Sequence, residues 1–166
     1  MLLILFGLPG AGKSYAGEIL RDQFGFHFHE SDEDIPEDYR RLVMAGQMVP
    51  EERRDDYHRH LLDRLAGLAA VHPRLAVAVP LLRQKHRDWI RARFPLAQFI
   101  LVQCAPDCWV ARLAGRTHTV SPDYARKILP LYEPPALPHF TLDDTADGPV
   151  AVRQQLEQIL AELESA

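Results

Sequence analysis

The chain has 166 residues, of which 47% are hydrophobic and 25% are charged, and its formal net charge is −4 at pH 7. This length can bury one sizeable core and is most simply a single domain, which excludes a large multidomain machine. The negative charge argues against a dedicated nucleic-acid-binding protein, because such proteins usually carry a surplus of Lys and Arg. The apolar run at residues 2–6 is too short for a membrane span or a signal-peptide core, so we expect a cytoplasmic protein.

The first predicted element is a buried strand at residues 2–6, which leads into a glycine-rich segment and then a helix. The segment reads Gly7-Leu8-Pro9-Gly10-Ala11-Gly12-Lys13-Ser14, which fits the pattern Gly, four residues, Gly-Lys-Ser. Glycines let the backbone N–H groups approach phosphates, and the following helix points the positive end of its dipole toward them. The pattern predicts a bound nucleoside triphosphate, with Lys13 on the β- and γ-phosphates and Ser14 on Mg²⁺.

The remaining predicted elements alternate between helices and strands. The first helix covers residues 13–24, with Gly25 as its terminator. A strand at 26–29 follows, and then two helices within 35–72 that are separated by a break at 46–50. Further strands are predicted at 76–79, 98–103 and 139–142, and further helices at 83–94, 106–115, 122–129 and 149–163. This alternation favours an α/β fold, in which a parallel sheet is covered by helices on both faces.

An acidic cluster follows the second predicted strand and consists of Glu30, Asp32, Glu33 and Asp34. Ligands of parallel sheets bind at the carboxyl ends of the strands, so this cluster should face the phosphate-binding loop. There Asp32 could orient or deprotonate an acceptor hydroxyl, and Glu30 could hold Mg²⁺ through its water molecules. The alternative is a solvated acidic loop that caps the next helix, a role that would suit Asp34 well.

A short chain that combines a phosphate-binding loop with a closing segment is typical of small-molecule kinases. Such an enzyme needs a carboxylate near the acceptor hydroxyl, cations on the moving phosphoryl group, and closure that excludes water. We predict that the helices within 35–72 bind the substrate and that residues 112–129 form the lid, with Arg112 and Arg116 closing over the phosphates. The alternative is that both arginines belong to a solvent-facing helix stripe.

Four sequence blocks resemble those of gluconate kinases, and their order and spacing match over about residues 1–135. In chain order they are the segments 7–14, 30–32, 46–54 and 82–88, which read GLPGAGKS, ESD, GQMVPEERR and LRQKHRD. Arg112-Leu113, Arg116, His118 and Glu133-Pro134 also resemble that family's lid segment and the stretch after it. Shikimate kinases, which are related in fold, have a block similar to Glu30-Ser31-Asp32.

The resemblance implies a three-layer P-loop kinase fold of the nucleoside-monophosphate-kinase type. It also implies ATP and Mg²⁺ as cofactors, with phosphoryl transfer to a hydroxyl of a small polyol acid. Asp32 would then contact the accepting hydroxyl, Arg54 and Arg83 would touch the substrate, and Arg87 is a further candidate in the same block. Guanidinium groups pair with carboxylates and phosphates through two hydrogen bonds, so the residue chemistry agrees with the resemblance.

Some positions depart from the family pattern. Glu30-Ser31-Asp32 stands where Asp-Gly-Asp is usual, Pro80-Leu81-Leu82-Arg83 stands where Ser-Ala-Leu-Lys is usual, and Tyr39 and Leu42 stand where Asn and Lys are usual. Loss of hydrogen-bonding residues from a polar pocket can change specificity by orders of magnitude. A sugar acid such as gluconate is therefore the first candidate acceptor. The alternatives are a shikimate-like acid, a nucleoside, another small alcohol, or a non-catalytic ATP-binding regulatory role.

The candidate residues fall into four groups. The catalytic candidates are Lys13, Asp32 and Arg116. The nucleotide-binding candidates are Gly7, Pro9, Gly10, Ala11, Gly12, Lys13, Ser14, Tyr15 and Arg112. The substrate-binding candidates are Asp32, Arg54, Arg83 and Arg87, and the metal-binding candidates are Ser14 and Glu30.

The expected partner is a small-molecule substrate, with no nucleic acid and no membrane, and the sequence also allows a homodimer. Two histidines of the second helix within 35–72, His58 and His60, are expected to face solvent. They lie two residues apart and therefore point in different directions on a helix, which argues against a metal pair.

Overall fold

The computed structural model describes residues 1–106, 109, 111–112, 121–144 and 148–165. The strands are β1 (Leu2–Phe6), β2 (His27–Glu30), β3 (Leu75–Val79), β4 (Gln98–Gln103) and β5 (Phe140–Asp143). The helices are α1 (Lys13–Phe24), α2 (Glu37–Met44), α3 (Glu51–Val71), α4 (Gln84–Arg93), α5 (Pro122–Ile128) and α6 (Gly148–Ser165). Short 3-10 turns lie at Ser31–Asp34 and Leu129–Leu131.

These bounds agree with the predicted elements to within two residues. Of the helix predicted at 106–115, the described residues Pro106, Trp109, Ala111 and Arg112 are helical, and the other positions lie outside the described residues. The break predicted between the two helices within 35–72 is also present. Gly46 adopts a left-handed conformation with φ 66° directly after α2, where the chain must leave the helix.

All five strands pair in parallel, in the order β2-β3-β1-β4-β5. β1 is the central strand, and each of its five residues is buried. A parallel strand that is covered on both faces must be apolar throughout, which explains why the segment 2–6 contains no polar residue. The predicted α/β fold with a parallel sheet is therefore confirmed.

Alternate residues of β1 point into two separate cores, one on each face of the sheet. Leu3 and Leu5 pack with residues of α1 and α6 on one face. Leu2, Ile4 and Phe6 pack with residues of α3 and α4 on the other. The molecule thus has three layers, helix, sheet and helix, and the carboxyl ends of β1, β2 and β3 meet at one edge of the sheet.

The packing of α1 on β2 depends on a glycine. A Cβ atom on Gly17 would lie between 2.0 and 2.5 Å from ring atoms of Phe28, so we expect Gly17→Ala to destabilise the protein by about 1–3 kcal/mol. This cost exceeds the gain of about 1 kcal/mol that alanine brings to a helix interior. Urea denaturation of the purified variant measures the change.

Gly67 provides the matched control, because it also lies within a helix but has open space where a Cβ atom would stand, with nothing within 4 Å. We expect Gly67→Ala to stabilise the protein by about 0.5–1 kcal/mol through the helix propensity of alanine alone. Equal effects of the two substitutions would contradict the close approach of α1 to β2.

Candidate active site

The loop between β1 and α1 winds tightly around the side chain of Lys13. The Nζ atom of Lys13 donates hydrogen bonds to the carbonyl oxygens of Gly7 at 3.2 Å and Leu8 at 2.9 Å, and the side chain is buried. Gly7 has φ 143°, and a Cβ atom on it would lie 2.2 Å from the carbonyl oxygen of Val102. Only glycine fits this position, because a side chain would be strained and would collide with backbone.

Gly12, directly before α1, lies against an aspartate that follows β5. A Cβ atom on Gly12 would be 2.0 Å from Oδ2 of Asp144, and the φ angle of 107° also favours glycine. Asp144 is buried and accepts hydrogen bonds from Arg112, one to its carboxylate at 2.7 Å and one to its carbonyl oxygen at 2.8 Å. Arg112 therefore lies beside the phosphate-binding loop with its guanidinium engaged by Asp144, and its contact with nucleotide stays a prediction.

Pro9 and Tyr15 are two further nucleotide-binding candidates, and Arg116 is the third catalytic candidate. The carbonyl oxygen of Pro9 accepts a hydrogen bond from the ring N–H of Trp109 at 2.6 Å, which anchors the tip of the loop. The side chain of Tyr15 packs against the core on the α1 side of the sheet. Its backbone N–H is among the first four of α1, which have no partner within the helix, so this group is the part of Tyr15 suited to phosphate. Arg116 lies outside the described residues.

The structure brings the two metal-binding candidates together. The hydroxyl of Ser14 donates a hydrogen bond to Oε2 of Glu30 at 2.5 Å. Burial raises the pKa of the Glu30 carboxyl, and the hydrogen bond from Ser14 opposes that shift. A hydroxyl and a carboxylate side by side fit Mg²⁺ at a phosphate site, where the ion keeps several waters and takes only one or two protein ligands.

Asp32 lies in the 3-10 turn that follows β2 and lines the same cavity as Lys13, Ser14 and Glu30. The strand order explains this meeting, because β2 and β1 both pair in parallel with β3 and end at one edge of the sheet. The backbone carbonyl oxygen of Asp32 accepts a hydrogen bond from Nη2 of Arg40 at 3.1 Å. Arg40 also lines the cavity, and no sequence signal marked it, because it belongs to none of the four motif blocks.

The cavity has a volume of about 170 Å³ and opens between the phosphate-binding loop, α2, α3 and α5. The predicted substrate-binding helices therefore do line a cavity that reaches the phosphate-binding loop. Arg54 and Arg83, two of the substrate-binding candidates, belong to its lining.

The two arginines differ in their partners. Arg83 lies 3.0 Å from a carboxylate oxygen of Glu133 and 3.9 Å from one of Glu51, so its charge is already balanced. Arg54 is half-buried and has no ion-pair partner among the described residues. Burial raises the pKa of the Tyr39 and Tyr124 phenols, the charge of Arg54 opposes that shift, and all three side chains line the cavity. Arg54 is therefore the better anchor for an anionic ligand.

The structure contradicts the prediction that Arg87 binds the substrate. Its side chain is fully buried, and the guanidinium donates hydrogen bonds to the backbone carbonyl oxygens of Leu81, Leu82 and Glu133 and to Oε1 of Gln84. Burial lowers the pKa of this guanidinium. Arg87 instead ties the loop after β3 to the segment around Glu133, a function that sequence spacing does not distinguish from ligand binding.

The expectation that His58 faces solvent is also wrong. His58 is buried against the cavity, and its ring stacks on that of His86 with centroids 3.7 Å apart. Its Nδ1 atom lies 2.7 Å from the carbonyl oxygen of Arg54, and burial lowers its pKa to about 3, so the ring is neutral at pH 7. His86 forms a hydrogen bond with Asp55 at 2.8 Å. This buried pair supports the turn of α3 that carries Arg54.

Two features are absent from the described part of the chain. Within the ranges 1–106, 121–144 and 148–165 and residues 109, 111 and 112, no three or more His, Cys, Asp or Glu side chains form a group that could hold a metal ion. No helix among these residues combines the length and apolar character needed to cross a membrane.

Comparison with known proteins identifies the fold. A sugar kinase from Janibacter sp. HTCC2649 aligns with a TM-score of 0.81 at 19% sequence identity, over 98% of this chain and 94% of its own. A gluconokinase from Sinorhizobium meliloti 1021 aligns with a TM-score of 0.78 at 22% identity, over 98% and 93%. A shikimate kinase from Bacteroides thetaiotaomicron aligns with a TM-score of 0.65 at 14% identity, over 99% and 98%.

These structural neighbours share the P-loop kinase fold, and the chain has that fold, as its sequence predicted. No family profile matches the chain, and no curated protein matches it in sequence. The resemblance to gluconate kinases is therefore carried by the short blocks and by the fold.

The structural function of Arg87 predicts a stability defect. We expect Arg87→Met to lower the free energy of unfolding by about 3 kcal/mol, because it removes the side-chain donor of the carbonyl oxygens of Leu81 and Glu133, whereas that of Leu82 keeps a hydrogen bond from the N–H of Glu133. Urea denaturation monitored by circular dichroism measures the change. The matched variant Arg54→Met should change stability by less than about 0.5 kcal/mol, because Arg54 has no ion pair to lose among the described residues. Equal stability of the two variants would contradict this assignment.

Proposed function

We propose that the protein is an ATP-dependent kinase that transfers the γ-phosphoryl group to a hydroxyl of a small hydroxylated acid. The observation that carries the proposal is that one cavity is lined by Lys13, the Ser14–Glu30 pair, Asp32 and Arg54. A phosphate-binding lysine, a magnesium-binding pair, a carboxylate base and an available arginine are the groups that phosphoryl transfer to an anionic alcohol requires.

Each residue has a defined task in this proposal. Ser14 and Glu30 would hold the Mg²⁺ ion that accompanies ATP, and ATP would supply the phosphoryl group. Lys13 and the N–H groups at the start of α1 neutralise charge on the phosphate oxygens. Asp32 orients the acceptor hydroxyl and takes its proton, which then passes to water. In the transfer the acceptor oxygen bonds to the γ-phosphorus, and the bond from that phosphorus to the β–γ bridging oxygen breaks with its electron pair leaving on ADP.

The named candidate within this class is a sugar acid such as gluconate. The four sequence blocks support it, and so do the structural neighbours described as a sugar kinase and a gluconokinase. We further propose that the chain acts as one kinase domain, that residues 112–129 close over the phosphates, and that Arg116 reaches the transferring group. A non-catalytic regulatory role is less favoured, because Asp32 has no evident use in a protein that only binds ATP.

Two substitutions separate chemistry from nucleotide binding. We expect Lys13→Ala to reduce kcat/KM at least hundredfold through lost stabilisation of the transition state. We expect Asp32→Asn to reduce kcat by a similar factor while the Kd for Mg²⁺-ATP changes less than threefold, because the amide cannot accept the proton. ADP release across a panel of sugar acids, shikimate and nucleosides, together with calorimetric titration of ATP, gives both quantities.

Glu33→Gln is the matched control, because Glu33 is the exposed neighbour of Asp32 in the same turn and does not line the cavity. It should retain wild-type turnover. Turnover by Lys13→Ala at the wild-type rate would contradict the nucleotide site, and parallel losses of ATP binding and turnover in Asp32→Asn would show that Asp32 is structural.

The guanidinium of Arg54 predicts a selective effect on the acceptor. We expect Arg54→Met to raise the KM for an anionic acceptor at least tenfold with a smaller change in kcat, since binding is lost more than chemistry. The matched control is Arg53→Met, because Arg53 is the neighbour of Arg54 in sequence but pairs with Asp38 on the exposed surface. Steady-state kinetics with ATP and the acceptor both varied give the KM for the acceptor. Equal KM values in the two variants would contradict the assignment.

A further inference from the structure

We propose that Arg40 determines acceptor specificity by donating hydrogen bonds to a hydroxyl oxygen that the acceptor carries next to its reacting hydroxyl. The inference rests on the proposed phosphotransfer function and defines the acceptor of the same site more narrowly. The acceptor needs two neighbouring hydroxyl groups, one for Asp32 and one for Arg40, in addition to its acidic group. Sugar acids meet this requirement, because they carry hydroxyls on adjacent carbons.

The side chain of Arg40 connects α2 to the turn that carries the proposed base. Arg40 belongs to α2, is half-buried and lines the cavity. Its Nη2 atom donates a hydrogen bond to the backbone carbonyl oxygen of Asp32 at 3.1 Å. A ligand atom that is hydrogen-bonded to the same planar guanidinium therefore lies close to Asp32, where the acceptor hydroxyl must react.

The charge of Arg40 is not balanced by the carboxylates that lie near it in sequence. Three carboxylates of the segment 32–38 are engaged by other side chains: Asp34 by His29 and Arg64, Glu37 by Arg41, and Asp38 by Arg53. Among the residues that the structure describes, Arg40 takes part in no ion pair, and the carbonyl oxygen of Asp32 is its one hydrogen-bond partner. A guanidinium has five N–H donors, so most of them remain available to a ligand in the cavity.

The partner of Arg40 is best assigned to the acceptor, since ATP and the acidic group have other partners in the proposed function. Lys13 and the N–H groups at the start of α1 take the phosphates, and Arg54 on α3 anchors the acid. Arg40 is held instead to the turn after β2. A guanidinium only donates hydrogen bonds, and a hydroxyl oxygen accepts them. The oxygen left for Arg40 is thus that of a hydroxyl beside the reacting one.

A contact of this kind discriminates strongly against acceptors that lack the hydroxyl. Losing a hydrogen bond to a charged group costs about ten- to hundredfold in affinity. The loss is large because an acceptor without the hydroxyl displaces water from the guanidinium and gives it no oxygen in return. Arg40 is half-buried, so it has little other access to water once the cavity is filled.

The test titrates the full chain with gluconate and with a series of monodeoxygluconates, each of which lacks one hydroxyl, in the presence of Mg²⁺ and a non-hydrolysable ATP analogue. We expect calorimetry of the wild type to show a member of the series that binds about tenfold or more weakly than gluconate. We expect Arg40→Met to reduce that ratio of Kd values by about fivefold or more, while the Kd for the ATP analogue changes less than about threefold. A ratio that Arg40→Met leaves unchanged for every member of the series overturns the proposal.

The ratio of Kd values separates a ligand contact from a structural role. If Arg40 only held the turn of Asp32 in place, its loss would weaken the binding of gluconate and of every monodeoxygluconate by the same factor. Arg41→Met is the matched control, because Arg41 is the next residue of α2 but pairs with Glu37 at 3.1 Å on the exposed surface and does not line the cavity. It should keep the wild-type ratios. Equal shifts in the two variants contradict the proposal.

ADP release separates this inference from the proposed function. Turnover of the series with the same preferences in the wild type and in Arg40→Met would leave the kinase assignment intact and overturn the contact. Binding with the Arg40-dependent ratio but without ADP release from any hydroxylated acid would overturn the kinase assignment and leave the contact standing. Failure of gluconate and its whole series to bind would overturn the contact, and ADP release with shikimate or a nucleoside would still support a kinase.

Discussion

The parallel pairing of β3 with both β1 and β2 is the constraint on which the site depends. It brings the carboxyl ends of β1 and β2 to one edge of the sheet, although the residues that follow them are far apart in sequence. The hydrogen bond from Ser14 to Glu30 crosses that edge and joins the phosphate-binding loop to the acidic turn. Because β1 is buried on both faces, the point at which the phosphate-binding loop leaves the sheet is fixed by the core.

The fold was largely predictable from the sequence, since its signals are local. The five-residue apolar run of β1, the glycine-rich segment and the helix terminator Gly25 each act over a few residues, and the structure contains all of them. The meeting of Ser14, Glu30 and Asp32 was also predictable, because the carboxyl ends of parallel strands form the binding edge of an α/β sheet. Strand order did not need to be known for that prediction.

The tasks of the individual arginines were less predictable, because they depend on partners that are distant in sequence. Arg83 and Arg87 lie four residues apart in one motif block, yet one lines the cavity beside Glu133 and the other is buried among backbone carbonyl oxygens. Arg40 lies in the cavity without any motif to mark it. The burial of His58 was missed for the same reason, since its stacking partner His86 belongs to another helix.

The proposed function requires this cavity to transfer the γ-phosphoryl group to an alcohol rather than to water. The most direct measurement is the product balance after incubation with Mg²⁺-ATP and a hydroxylated acid, followed by ³¹P NMR. We expect a phosphate ester of the acid and ADP in a one-to-one ratio, with inorganic phosphate only at trace level. ADP accompanied by an equal amount of inorganic phosphate, with no ester from any hydroxylated acid, would contradict it.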